Sequence, residues 1–97
     1  MLERGPANKE MEEPRIRERR ENRRRFLARL YQVSEEDASE YLDGYDVACE
    51  LGLSRQDAER IVRYFEDHGY VRKTGNTGLT LRITAQGIDF IESGALG

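Results

Sequence analysis

The sequence has little of what builds disulfide-linked, membrane-spanning or large catalytic proteins. Its 97 residues include one cysteine, Cys49, no tryptophan and two prolines. One cysteine excludes an internal disulfide and a cysteine-based zinc site within a single chain. The longest uninterrupted apolar runs, Phe26–Ala28 and Val47–Cys49, are three residues long, whereas a membrane-spanning helix needs about 20. We therefore expect one small domain without a membrane segment.

What the chain does contain is enough for one modest core. Apolar residues make up 37% and charged residues 36% of the sequence. Once that core is filled, few residues remain to line a substrate pocket, so the sequence predicts no enzyme, no cofactor and no metal site. The N-terminal segment holds acids, two prolines and no apolar stretch, unlike a secretory signal. The expected location is therefore cytoplasmic.

The charges are arranged in blocks. The formal net charge is −3, opposite in sign to that of a typical nucleic-acid-binding domain. Residues 1–30 nevertheless carry ten Lys or Arg against six acids, and residues 31–54 carry seven acids and no base. No acid lies between Gly69 and Ile88. The negative total therefore conceals an arginine-rich N-terminal part and a basic segment near the C-terminus.

Composition divides the two ends of the chain from its middle. Residues 1–14 offer too little apolar surface to offset their ordering entropy, which predicts a disordered tail. Residues 15–25 form an arginine-rich extension within a predicted helix from about Arg15 to Val33. The apolar face of this helix appears only over Phe26–Tyr31, so the arginines are expected to project beyond the core. Residues 93–97 are expected to form a C-terminal tail.

Two shorter helices are predicted in the middle of the chain. The first runs from Tyr45 to Leu51 and ends at Gly52, a suitable C-cap residue. Ser54 is the expected N-cap of the second, with Asp57 at the capping-box position. Over residues 54–68 apolar residues recur at the spacing of one helix face: Ala58, Ile61, Val62 and Phe65.

A β-hairpin is predicted after the second of these helices. Tyr70–Lys73 begins a strand, Gly75–Gly78 is a turn cluster, and Leu79–Thr84 alternates apolar and polar residues as a half-buried strand does. Thr84 is the expected cap of a final short helix, and Tyr41–Leu42 is a further short strand. The expected fold class is mainly α with a small β-hairpin, that is, α+β.

The stretch Gly44–Arg63 resembles a helix-turn-helix. Ala48 is the small residue that lets two helices cross closely, and Gly52 tolerates the positive φ of a tight turn. The hairpin and the following Ile83–Ile88 resemble the wing and exit of winged helix-turn-helix proteins, which include small bacterial and archaeal transcriptional regulators. This resemblance covers about residues 26–92. It implies a three-helix core plus a wing, here preceded by an N-terminal helix extension.

The resemblance also implies a DNA-binding site. In that superfamily the second motif helix enters the major groove, and the wing touches phosphate or the minor groove. The outer face of helix 54–68 would then read bases through Arg and Gln side chains, which suit guanine and adenine edges: Arg55, Gln56, Arg60 and Arg63. The wing, residues 70–84, would add Arg72, Lys73, Asn76, Thr77 and Arg82.

The arginine run of the extension leaves three interpretations open. It is a nucleic-acid arm, a solvated helix face supported by the Glu21–Arg25 spacing, or a protein contact such as the acidic segment of a second copy. The last would make a homodimer. As an arm, the run would contribute Arg19, Arg20, Arg23 and Arg24.

Four acids on the motif helices oppose DNA binding, because each would face repulsion and desolvation at a polyanion. They are Asp46, Glu50, Asp57 and Glu59. The function expected from the sequence is a non-catalytic DNA-binding transcriptional regulator whose partner is double-stranded DNA. The alternative is a protein-interaction adaptor that presents its acidic face to a basic partner.

Overall fold

The chain forms four helices and a small antiparallel sheet over residues 4–37, 39–75 and 78–94, which the computed structural model describes, with side chains from residue 14 onward. The elements follow in the order α1 Arg4–Glu36, β1 Leu42–Asp43, α2 Gly44–Glu50, α3 Arg55–Asp67, β2 Val71–Thr74, β3 Thr80–Ile83 and α4 Ala85–Glu92. The mainly helical α+β class is thereby confirmed. Residues 93–94 form a turn after α4, and the rest of the expected C-terminal tail lies outside the described residues.

Helix α1 is longer than the sequence predicts. It begins at Arg4, so most of the segment predicted to be a disordered tail is helical, while residues 1–3 lie outside the described residues. Pro14 lies inside the helix and removes one backbone donor. The core-facing turns of α1 supply a nucleus, and a helix that continues from formed turns avoids the cost of nucleation. At 33 residues α1 is long, but no helix in the described ranges is apolar enough to cross a membrane.

The three strands pair in the order β1-β3-β2, antiparallel throughout. Leu42 is opposite Leu81, and Arg72 is opposite Arg82. Side chains alternate along a strand, so the buried Leu81 and Ile83 face the core while Arg82 and its partner Arg72 face the other side. The hairpin β2–β3 therefore carries Arg72 and Arg82 on the face away from the core, while Lys73, opposite Leu81, lies on the other face.

Helices α3 and α4 begin at the caps that the sequence predicts. The Ser54 hydroxyl accepts from the Asp57 amide at 3.0 Å, and the Asp57 carboxylate accepts from the Ser54 amide at 3.3 Å. Thr84 accepts in the same way from the amide of Gly87 at 3.0 Å. Between α2 and α3 the chain turns at Gly52, whose φ of +76° lies in the left-handed region that favours glycine. The α2–α3 connection is consequently short and has a defined backbone conformation.

One apolar cluster joins α1, α2, α3 and the sheet. At the junction of α1 and α2, the Arg25 guanidinium donates to the carbonyl of Leu51 at 3.0 Å. The burial of the apolar side chains of this cluster determines which face of α3 is exposed to solvent. The buried apolar residues are Phe26, Leu27, Leu30, Val33, Val47, Ala48, Ala58, Ile61, Val62, Phe65, Val71, Leu79, Leu81 and Ile83.

Candidate nucleic-acid interface

Helix α3 presents an exposed polar face between α1 and the hairpin. Its apolar side is buried, which leaves Gln56, Arg60 and Arg63 exposed on the outer side. These three side chains line one shallow depression together with Glu59. The structure therefore brings together three of the four residues that the sequence assigns to the outer face of this helix.

The fourth, Arg55, is turned toward α2. Its guanidinium carbon lies 3.8 Å from the centre of the Tyr45 ring, in a cation–π contact. The Tyr45 hydroxyl in turn donates to Oε2 of Glu59 at 2.7 Å. This hydrogen bond to a carboxylate is the main reason that the pKa of Tyr45 is raised, so the phenol remains a donor. We refer to these connected side chains as the Arg55–Tyr45–Glu59 chain.

Two of the four predicted arm arginines lie beside α3. The Arg23 guanidinium carbon is 4.2 Å from the centre of the Tyr64 ring. Arg19 and Arg23 line a groove between α1 and α3 together with Arg60, and Ile61 and Tyr64 supply its apolar lining. This α1–α3 groove brings two neighbouring arginines of α1 beside Arg60 of α3.

The other two arm arginines lie outside the α1–α3 groove. Arg24 forms an ion pair with Glu21 on the same helix, and the hydrogen bond from Arg24 is the main cause of the lowered pKa of Glu21. Arg20 is exposed on α1. The arginine-rich extension thus divides into a part that faces α3 and a part that does not.

The cations of the hairpin divide between the two faces of the sheet. Lys73 lies in the cleft between α3 and the hairpin, which Arg63 also lines. Arg72 and Arg82 are paired on the face that points away from the core, and the Arg82 guanidinium carbon is 5.4 Å from the centre of the Tyr41 ring. Only Lys73 of these three therefore shares a cleft with α3. The two residues predicted at the tip lie outside the described residues: Asn76 and Thr77.

Three of the four acids that the sequence sets against DNA binding have local partners. Glu50 accepts from Nε of Arg29 at 3.1 Å. Asp57 completes the capping box and lies 3.9 Å from a terminal nitrogen of Arg60. Glu59 belongs to the Arg55–Tyr45–Glu59 chain, and Asp46 is exposed on α2. Exposed ion pairs contribute only about 0–1 kcal/mol of stability, but they place an arginine beside Glu50 and Asp57. For Glu59, the hydrogen bond from Tyr45 fixes the direction of the carboxylate.

The tyrosines are the functional candidates that sequence reasoning missed. Tyr41, Tyr45 and Tyr64 each have an arginine guanidinium group against the ring. Nothing local in the sequence reveals these pairings, because every partner comes from a different element. Within the ranges the structure describes, no group of three or more His, Cys, Asp or Glu could hold a metal ion.

The chain is similar to part of a longer curated protein. A riboflavin kinase of Thermoplasma volcanium is 34% identical to it over 68 residues, which is 69% of this chain and 31% of the kinase. No protein-family model matches the chain. This chain therefore spans less than a third of the length of the curated relative that it matches.

Proposed function

We propose that this protein is a winged helix-turn-helix module that binds duplex DNA through α3 and acts in transcriptional regulation. The order and spacing of the elements support the fold assignment. Helices α2 and α3 are joined by a short turn at Gly52, and the hairpin follows α3 directly. Helix α1 completes the three-helix core, and β2–β3 takes the place of the wing.

The observation that carries this proposal is the outer face of α3 with the cations on its two sides. A helix with its side chains is about 10–12 Å wide, which matches the roughly 12 Å major groove of B-DNA. With α3 in that groove, Gln56, Arg60 and Arg63 face base edges. Arg19 and Arg23 then lie on one flank and Lys73 on the other. Those flanks are where the two phosphate backbones run.

The contacts of the acids support the same assignment. A free carboxylate at a DNA surface would weaken binding, but Glu50 and Asp57 each have a cation within 4 Å. The acids on these helices therefore oppose a polyanion less than their number suggests. Asp46 and Glu59 differ from these two: Asp46 is exposed on α2, and Glu59 on α3 accepts from the Tyr45 hydroxyl rather than pairing with a cation.

The name of the curated relative offers a second candidate, phosphoryl transfer to riboflavin. The identity over 68 residues, which is 31% of the kinase, favours it. We propose the non-catalytic role instead, because the outer face of α3 gathers Arg and Gln side chains that suit base edges. Incubation with riboflavin, magnesium and a nucleoside triphosphate tests this choice, because any phosphorylated flavin would support the kinase instead.

The alternative function, from a class of proteins that do not bind DNA, is the protein-interaction adaptor. It predicts that substitutions of Asp46 and Glu50 disrupt capture of a basic protein partner. It also predicts that substitutions of Arg60 and Arg63 have no such effect, and that no DNA is bound at low salt.

A chemical-shift titration with duplex DNA of random sequence, at low salt, separates these possibilities. DNA binding through α3 predicts perturbations over residues 55–63 and in the hairpin over residues 72–82. The α1–α3 groove adds the expectation that Arg19 and Arg23 shift with them. Perturbations confined to residues 15–25 would indicate charge attraction alone, and a spectrum unchanged by DNA would refute the proposed function.

A further inference from the structure

Glu59 occupies the middle of the outer face of α3. It lines the depression that Gln56 and Arg63 share, and it also lines the cleft toward the hairpin. A carboxylate at this place reduces the attraction of the whole face for phosphate. We therefore ask which contact with DNA requires a carboxylate at this position and could not be made by a neutral side chain.

The structure holds this carboxylate in one direction. The Tyr45 hydroxyl donates to Oε2 at 2.7 Å, and the ring of Tyr45 is itself covered by the Arg55 guanidinium. An ionised carboxylate has two oxygens and about four lone-pair sites, all of them acceptors. One hydroxyl uses only part of this capacity, so Glu59 can accept further hydrogen bonds from a donor that lies against the outer face of α3.

The major groove offers two amino groups as donors, N4 of cytosine and N6 of adenine. Adenine places the acceptor N7 beside N6, and this lone pair repels a carboxylate. Cytosine presents N4 with no acceptor beside it on the same base. Its partner guanine presents the acceptors O6 and N7, which suit the adjacent Arg63. A C·G pair therefore matches the combination of an acid and an arginine on one helix face.

We propose that Glu59 is a specificity-determining residue that selects cytosine in the major groove, with Tyr45 as its positioning residue. This inference rests on the proposed function of α3. Glu59 contributes base preference and lowers the overall affinity for DNA. The hydrogen bond from Tyr45 keeps the Glu59 carboxylate oriented toward the base. Arg55 stabilises the ring of Tyr45 from the other side.

Selection of binding sites from a pool of randomised duplexes tests the proposal. For the wild-type chain we expect one position at which cytosine is required, with a preference over adenine on the order of tenfold on paired probes. In Glu59→Gln that preference is lost or changes to adenine, because an amide both donates to N7 and accepts from N6. Glu66→Gln is the matched control, since Glu66 is exposed on α3 and lines the same cleft.

The control variant Glu66→Gln removes one negative charge, as Glu59→Gln does, but we expect it to leave the base preference unchanged. Tyr45→Phe retains the carboxylate and loses the hydroxyl, so we expect a weaker cytosine preference with unchanged affinity for random duplex. Thermal unfolding of each variant verifies that it is folded. If Glu59→Gln selects the same sites as the wild type, the proposal is wrong while the DNA-binding function stands. If the wild type retains no DNA at about 50 mM salt, both are refuted.

Discussion

Replacement of Gly87 by alanine probes how α4 packs against the rest of the domain. A Cβ at this position would lie 2.2 Å from the carbonyl oxygen of Tyr70 and 2.8 Å from Cγ1 of Ile83. Both distances are shorter than the 3.0 Å that real Cβ contacts respect. The same carbonyl accepts a hydrogen bond from the Thr84 amide at 2.9 Å. Helix α4 can therefore relieve the clash only by moving away from the α3–β2 turn.

The magnitude follows from two opposing contributions. Overpacking costs about 1–3 kcal/mol and sometimes more, and a backbone oxygen that cannot rotate away favours the upper end. Alanine in place of glycine in a helix returns at most about 1 kcal/mol. We expect Gly87→Ala to lower the free energy of unfolding by about 2 kcal/mol, which corresponds to a Tm lower by roughly 8–16 °C in a domain of this size.

Urea unfolding followed by far-ultraviolet circular dichroism measures this loss, with Gly44→Ala as the matched control. Gly44 also lies in the first turn of a helix, but the atoms nearest to a Cβ there belong to the side chains of Leu79 and Leu81, at 3.0–3.2 Å. Flexible methyl groups can move, so this variant should stay within about 1 kcal/mol of the wild type. Equal stability of the two variants would refute the packing assigned to α4.

Three further predictions concern the caps, the core and an alkaline titration. Ser54→Ala should lower the free energy of unfolding by about 1 kcal/mol, measured by urea titration, and an unchanged midpoint would contradict the capping box. Phe26→Ala removes a fully buried ring and should cost about 3–5 kcal/mol in the same assay; a cost below 1 kcal/mol would contradict its burial. The hydrogen bond from the Tyr31 hydroxyl to Glu92, 2.7 Å long, raises the pKa of Tyr31 to about 12. Because the folded state holds this proton more tightly than the unfolded chain, the stabilisation is complete below about pH 10 and is lost as pH rises toward the folded-state value. The stability deficit of Tyr31→Phe should therefore shrink over that interval in urea titrations at increasing pH, and a deficit independent of pH would argue against the bond.

Those parts of the fold that depend on residues close together in the sequence could be predicted from the sequence. The cap at Ser54 requires only Asp57, and the strand β3 requires only the alternation over residues 79–84. Even so, composition was misleading at the N-terminus. The prolines and charges of residues 1–14 predict disorder because they offer little apolar surface, whereas helix α1 continues from the core through Pro14 to Arg4.

The contacts of the candidate site could not be predicted, because they join residues from different elements. Tyr45 and Glu59 are 14 residues apart, and Arg23 reaches Tyr64 only once α1 packs beside α3. An arginine side chain has many rotamers, so its partner depends on which aromatic ring the packed helices leave exposed. For the same reason the sequence predicts simple repulsion at Glu59, where the structure provides a hydroxyl donor.

The salt dependence of affinity for duplex DNA tests the DNA-binding proposal most directly. Fluorescence anisotropy with a labelled random duplex should give a plot of log affinity against log salt with a slope near −5, if about six phosphates are neutralised. Arg23→Ala should reduce that slope by about 1. Arg29→Ala should leave it unchanged, because Arg29 pairs with Glu50 between α1 and α2. A slope of zero, or equal losses in the two variants, would contradict the proposed role of α3 and its flanking arginines.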